Sequence, residues 1–161
     1  MEIPVEKRFR VLCEIVRAQH FAWRDAVRAT VPGVDPQQVV NKMWEITAVE
    51  TARTYLRRID PGKPLALQVA YSMAFSSVCM GEGATVEQGE GDEAFVKHAD
   101  CPWYSWHERL GVLNEDRPGC DTWFNATVRE INKALGTRLR IETQSALPDG
   151  AECCLRRLWV E

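Results

Sequence analysis

The sequence has no basic surplus. Lys and Arg total 20 against 23 Asp and Glu, for a formal net charge of -3. Both signs are mixed along the chain, so the cationic face that a nucleic-acid partner requires is not expected. Long apolar runs are missing too. The longest uncharged stretch, 64–81, falls short of the roughly 20 apolar residues that span a bilayer, and Gln68, Ser72, Ser76 and Ser77 interrupt it. No membrane partner is expected from it. The first twenty residues scatter charges (Glu2, Glu6, Lys7, Arg8, Arg10) where an export signal would carry an unbroken apolar core. A cytoplasmic setting follows as the expectation. In that setting the six cysteines read as reduced thiols, metal ligands or catalytic groups rather than disulfides, although no Cys-x-x-Cys pair occurs among them.

What is present suits a folding chain: 45% hydrophobic and 27% charged residues over 161 positions, enough for one well-formed core. Val5, Phe9, Leu12, Cys13, Val16, His20, Trp23 and Val27 recur at three- and four-residue steps, which marks an amphipathic helix ending near Pro32-Gly33. Asp35-Pro36 opens a second helix that Asp60-Pro61-Gly62 stops. Residues 65–80, apolar nearly all round, read as a helix buried in the centre of the domain. The period then changes. Segments 84–88 and 93–98 flank Gly89-Glu90-Gly91-Asp92 as a hairpin, and 103–110 reads as a short helix closed by Gly111. Asp121 is placed to cap a helix running to Gly136, and a second hairpin pairs 138–145 with 152–160. Helices followed by hairpins that alternate with helices make an α+β fold. One compact domain is expected over 1–161, helical to about 82 and carrying its cysteine motifs in 83–161.

Reactive residue types concentrate between His98 and Asp121, with Cys153 and Cys154 on the last strand. His98-x-x-Cys101 offers two ligands, and Cys120 with Cys153 or Cys154 could complete a tetrahedral zinc site. Cys120 has a second reading: just before the Asp121 helix, unpaired amides and the helix dipole would favour a thiolate nucleophile, with His98 or His107 moving protons and Asp121 or Asp100 orienting the imidazole; equally, Cys120 is a small buried residue and Asp121 only a cap. Trp103, Trp106 and Trp123 could wall a small-molecule pocket, and His20, on the apolar stripe of the first helix, is either a core histidine or one that faces that pocket. Cys13 and Cys79 lie on apolar helical faces and read as core. The doublet Arg156-Arg157 on the last strand could bind a carboxylate bidentately, but one side chain must point to each face of the sheet, and an arginine on an edge strand is usually just solvated.

The ordered set Cys101-Pro102-Trp103, Arg109-Leu110-Gly111-Val112, Pro118-Gly119-Cys120-Asp121 and Asp149-Gly150-Ala151-Glu152-Cys153-Cys154 resembles the family of L-2-amino-thiazoline-4-carboxylic acid hydrolase-like proteins. The match covers about sixty residues. The resemblance implies hydrolytic opening of a small heterocycle at an amidine-like carbon, with Cys101, Cys120, Asp121 and one terminal cysteine as the carried-over positions. Cys154 fits the family spacing from glycine, whereas Cys153 fits the apolar residue two positions later. The family is also similar to 4-vinyl reductase and TRAPP-type small-molecule-binding domains, some of which hold zinc through cysteines. Two functions are therefore expected. One is a cytoplasmic hydrolase acting through a Cys thiolate or a water activated by zinc or manganese, and the alternative is a non-catalytic ligand-binding or sensor domain. A small-molecule ligand and a homodimer are the expected partners.

Overall fold

The computed structural model describes residues 2–161. Helices α1 (Val5–Thr30), α2 (Pro36–Leu56) and α3 (Leu65–Cys79) precede a hairpin of β1 (Gly83–Gln88) and β2 (Glu93–Asp100). Helices α4 (Pro102–Leu110) and α5 (Asp116–Leu135) follow, and β3 (Leu139–Ser145) with β4 (Cys154–Val160) forms the closing hairpin. The four strands make one antiparallel sheet in the order β1-β2-β4-β3. The expected α+β architecture is the observed one.

Local chemistry explains the boundaries. Asp35 accepts from the Gln37 amide at 3.0 Å and Pro36 occupies the first turn of α2. Helix α3 begins after Pro64 without a cap from its own segment, and Asp92 in the β1–β2 turn supplies one from a distance, accepting the Leu65 and Ala66 amides at 3.0 and 2.8 Å. That contact ties the hairpin to the helix. Gly111, at φ 69°, takes the left-handed conformation that ends α4 and turns the chain into α5.

Alternation on the strands sorts the sheet into two faces. Ala94, Val96 and His98 of β2 and Cys154, Arg156 and Leu158 of β4 point inward and are buried. Helices α3 and α5 cover that face, and α2 packs on α5. The core joins Tyr55 of α2, Val69 and Met73 of α3, Phe124 and Ile131 of α5, and Val96, Leu139 and Leu158 of the sheet.

Three expectations change. Helix α3 is not central: Ala66, Val69, Ala70, Met73 and Ala74 face the core, while Tyr71, Phe75 and Val78 are exposed, because only one side of α3 meets the sheet. Cys79 is exposed with them. Helix α5 begins six residues earlier than the Asp121 cap implied, following a single 3-10 turn at Leu113–Glu115. Finally, α1 buries Cys13, Arg17, Phe21 and Arg24 rather than most of its apolar stripe. Among the described residues, no helix is long and apolar enough to cross a membrane.

Candidate functional site

The inward ends of β2 and β4, the C-terminus of α3, α4 and the first turns of α5 enclose a cavity of about 250 Å³. Of the residues singled out in sequence, His98, Cys101, Trp103, His107, Cys120, Trp123 and Cys154 line it. Arg156 of the doublet lines it too, since β4 is an inner strand and not an edge, and the structure adds Ser77, Glu82, Asp116 and Trp44. Gly119 makes the fit between α5 and α2 possible, since a Cβ there would sit 3.3 Å from Trp44 Nε1.

Trp103 bonds to two polar groups, through its indole N–H and its carbonyl. In the first, His98 Nε2 lies 2.8 Å from Ser77 Oγ and 3.7 Å from a Glu82 carboxylate oxygen, while Trp103 Nε1 donates to Glu82 at 3.0 Å. Burial, and then the Arg156 charge, push His98 down from 6.5 to about 4, so the ring is neutral. Burial raises the Glu82 carboxyl, opposed by its hydrogen bonds from Ser77 and Trp103. His98 Nε2 and Ser77 Oγ share one hydrogen bond, and the other ring nitrogen, Nδ1, is buried with no partner.

In the second group, His107 Nδ1 donates to the Trp103 carbonyl at 2.9 Å and lies 3.7 Å from Asp116. The Cys120 thiol donates to the same Asp116 carboxylate at 3.6 Å. Burial raises Asp116, and the His107 charge opposes it.

The thiols depart from the expected nucleophile. Cys120 lies inside α5, past the unpaired amides of its first turn, and burial pushes its thiol well above the ordinary value despite the opposing Arg156 charge. Cys101 is pushed up to about 12 by burial. Cys154, also raised by burial, accepts the Leu147 amide through Sγ at 3.3 Å. All three are protonated at neutral pH. Nor do the donors fit a metal. Among the described residues no three His, Cys, Asp or Glu groups converge on one point, and His98 Nε2, Cys120 and Cys154 bond instead with Ser77, Asp116 and Leu147. The zinc or manganese site expected from His98, Cys101, Cys120 and Cys153 or Cys154 is not assembled.

Several candidates lie elsewhere. Cys153 is outside the cavity lining, its carbonyl held by Ser145 Oγ at 3.0 Å. Asp121 accepts from Thr143 at 2.6 Å on the flank of α5, beside Arg117. Trp106 stacks on Phe21 and donates to Glu14 at 3.1 Å. His20 packs against Phe21, Trp44 and Trp103 behind the cavity, where burial lowers it to about 4.

Arg156 is the strongest feature that the sequence only touched on. Only 3% of it is exposed, and its guanidinium lies 4.1 Å from the Phe124 ring centroid. Its Nε has no partner, and its nearest carboxylate, Asp121, is 3.9 Å away. A buried cation so weakly paired has the chemistry to receive an anion. Its neighbour Arg157 takes the opposite face and pairs with Glu93.

Known proteins share this fold. Subunit 3 of the trafficking protein particle complex from Naegleria fowleri, in a structure covalently bound to palmitic acid, aligns with a TM-score of 0.60 at 14% identity, covering 94% of this chain and 96% of that one. The phenol-responsive sensory domain of the transcription activator PoxR, solved with phenol, aligns with a TM-score of 0.52 at 10% identity, covering 89% and 73%. No curated protein matches in sequence. The family model for L-2-amino-thiazoline-4-carboxylic acid hydrolase matches residues 12–158, nearly the whole chain, and the protein belongs to that family.

Proposed function

We propose that the protein hydrolyses a small heterocyclic carboxylate in the cavity between α3, α5 and the sheet. The observation that carries this reading is the buried, underpaired Arg156 in the same cavity as a neutral histidine whose Nδ1 has no partner. Membership of a family named for a hydrolase supports it.

In this reading Arg156 grips the carboxylate, and the aromatic walls of Trp44, Trp103 and Trp123 hold the ring and exclude water. His98 Nδ1 takes a proton from water as the oxygen adds to the C=N carbon, and Glu82, held above its ordinary range, protonates the ring nitrogen. Collapse of the tetrahedral adduct breaks the ring bond to sulfur. The leaving sulfur takes the proton from His98, and the adduct's hydroxyl gives its proton back to Glu82 as the carbonyl forms. Arg156 is also one cause of the low His98 value, so a bound carboxylate that offsets its charge makes His98 a better base when substrate is present. The thiols serve as neutral lining.

Turnover of 2-amino-thiazoline-4-carboxylate to a free thiol, read with a thiol reagent after removal of the protein, tests this. His98→Gln and Glu82→Gln should each lower kcat by about 100-fold or more, and full activity in His98→Gln would end the mechanism.

A second reading rests on the aromatic wall and on the ligands in the two similar structures, palmitic acid and phenol: a binding or sensor domain without turnover. Saturable tryptophan quenching with no product formed would favour it.

A further inference from the structure

Helix α1 lies on the body through a narrow stripe of Cys13, Arg17, Phe21 and Arg24. Arg17, 3% exposed, donates to the Met80 carbonyl at 2.8 Å and to Glu14 at 2.9 Å, and Arg24 pairs with the buried Glu115 across 91 residues of chain. These anchors fix the rotation of the helix. They leave its apolar side open: Val5, Phe9, Leu12, Ile15, Val16 and Trp23 are all exposed, Val5 to 63% and Leu12 to 59%.

We infer that this face pairs with the α1 helix of a second copy of the chain. Three observations favour that occupant. Val5, Phe9, Leu12, Val16 and Trp23 follow steps of four, three, four and seven, the 3.5-residue period of a two-helix seam. Exposed charges over residues 2–30 balance, with Glu2, Glu6, Glu14 and Asp25 against Lys7, Arg8, Arg10 and Arg28, which suits a face that meets itself and not an anionic lipid surface. The open apolar residues present on the order of 600 Å², at the upper limit for a monomer's patch and near the roughly 800 Å² per partner of a standard interface.

Light scattering of the size-fractionated full chain tests the pairing. The wild type is expected at twice the chain mass, and Leu12→Glu/Val16→Glu at the single mass, with dimerisation weakened roughly a hundredfold or more and the near-ultraviolet circular dichroism unchanged. Should the double variant fail to fold, Val16→p-benzoylphenylalanine decides: irradiation cross-links two chains if the face is the interface, and yields only single chains if it is not. A wild type that stays monomeric at about 100 µM, or a folded double variant that stays dimeric, overturns the inference. A monomeric wild type that binds phosphatidylcholine vesicles through this face overturns it in favour of lipid.

Discussion

Replacing His98 by Gln should flatten the acid limb of the stability curve. His98 is nearly enclosed, its side chain 4% exposed, and its value falls from 6.5 to about 4 on folding. The native state keeps the ring neutral where the unfolded chain would already bind a proton. This contribution is therefore fully present above about pH 6.5 and is lost as the pH falls toward 4. At about 1.4 kcal/mol for each tenfold change, the full span is about 3 kcal/mol, of which about 2 kcal/mol falls between pH 7 and about pH 4.5. His20, lowered to about 4 mainly by burial, acts with the same sign. Glu82 and Asp116, both raised by burial, act with the opposite sign, since the native carboxyls hold their protons to higher pH. Those three groups remain in the variant and cancel in the comparison. Urea unfolding at the two pH values should show the wild type losing about 2 kcal/mol more than His98→Gln. Equal losses would refute the burial of a neutral His98.

Other consequences follow from single contacts. Arg24→Met should cost about 3–5 kcal/mol in urea unfolding by stranding the buried Glu115 carboxylate, and Arg24→Met/Glu115→Met should recover most of that loss. Asp92→Ala removes the cap on α3 and should cost about 1 kcal/mol, with faster amide exchange at Leu65 and Ala66. Toward a disulfide reagent at about pH 7.5, exposed Cys79 should react first. Cys101 and Cys120 should lag by at least about tenfold, as mass spectrometry of the labelled peptides would show.

Periodicity and turn chemistry made most of the fold legible. The Asp35-Pro36 cap, the Gly89–Asp92 turn and Gly111 each act through a few adjacent residues, and such signals survive in a bare sequence. What escaped depends on partners distant in sequence. The apolar stripe of α1 implied an inward face, but Glu115 and the Met80 carbonyl hold the adjoining side through Arg24 and Arg17. The apolar run at 65–80 gave no hint that only one side of α3 meets the sheet. In the site, the clustered reactive residues His98, Cys101, His107 and Cys120 were visible because three adjoining elements carry them to one cavity. Ser77 and Glu82 gave weaker signals, a lone hydroxyl on the core side of α3 and an acid between two glycines. Arg156 was ambiguous until strand alternation could be tied to a known interior face.

The most direct test of the carboxylate receptor is calorimetric titration of 2-amino-thiazoline-4-carboxylate, and of its carboxamide, into wild type and Arg156→Met, with His98→Gln in both proteins to suppress turnover. The carboxylate should bind the Arg156-containing protein at least about 30-fold more tightly than the carboxamide does, and Arg156→Met should erase that preference while retaining the tryptophan fluorescence of the folded cavity. A preference for carboxylate that survives the loss of Arg156 would contradict the account.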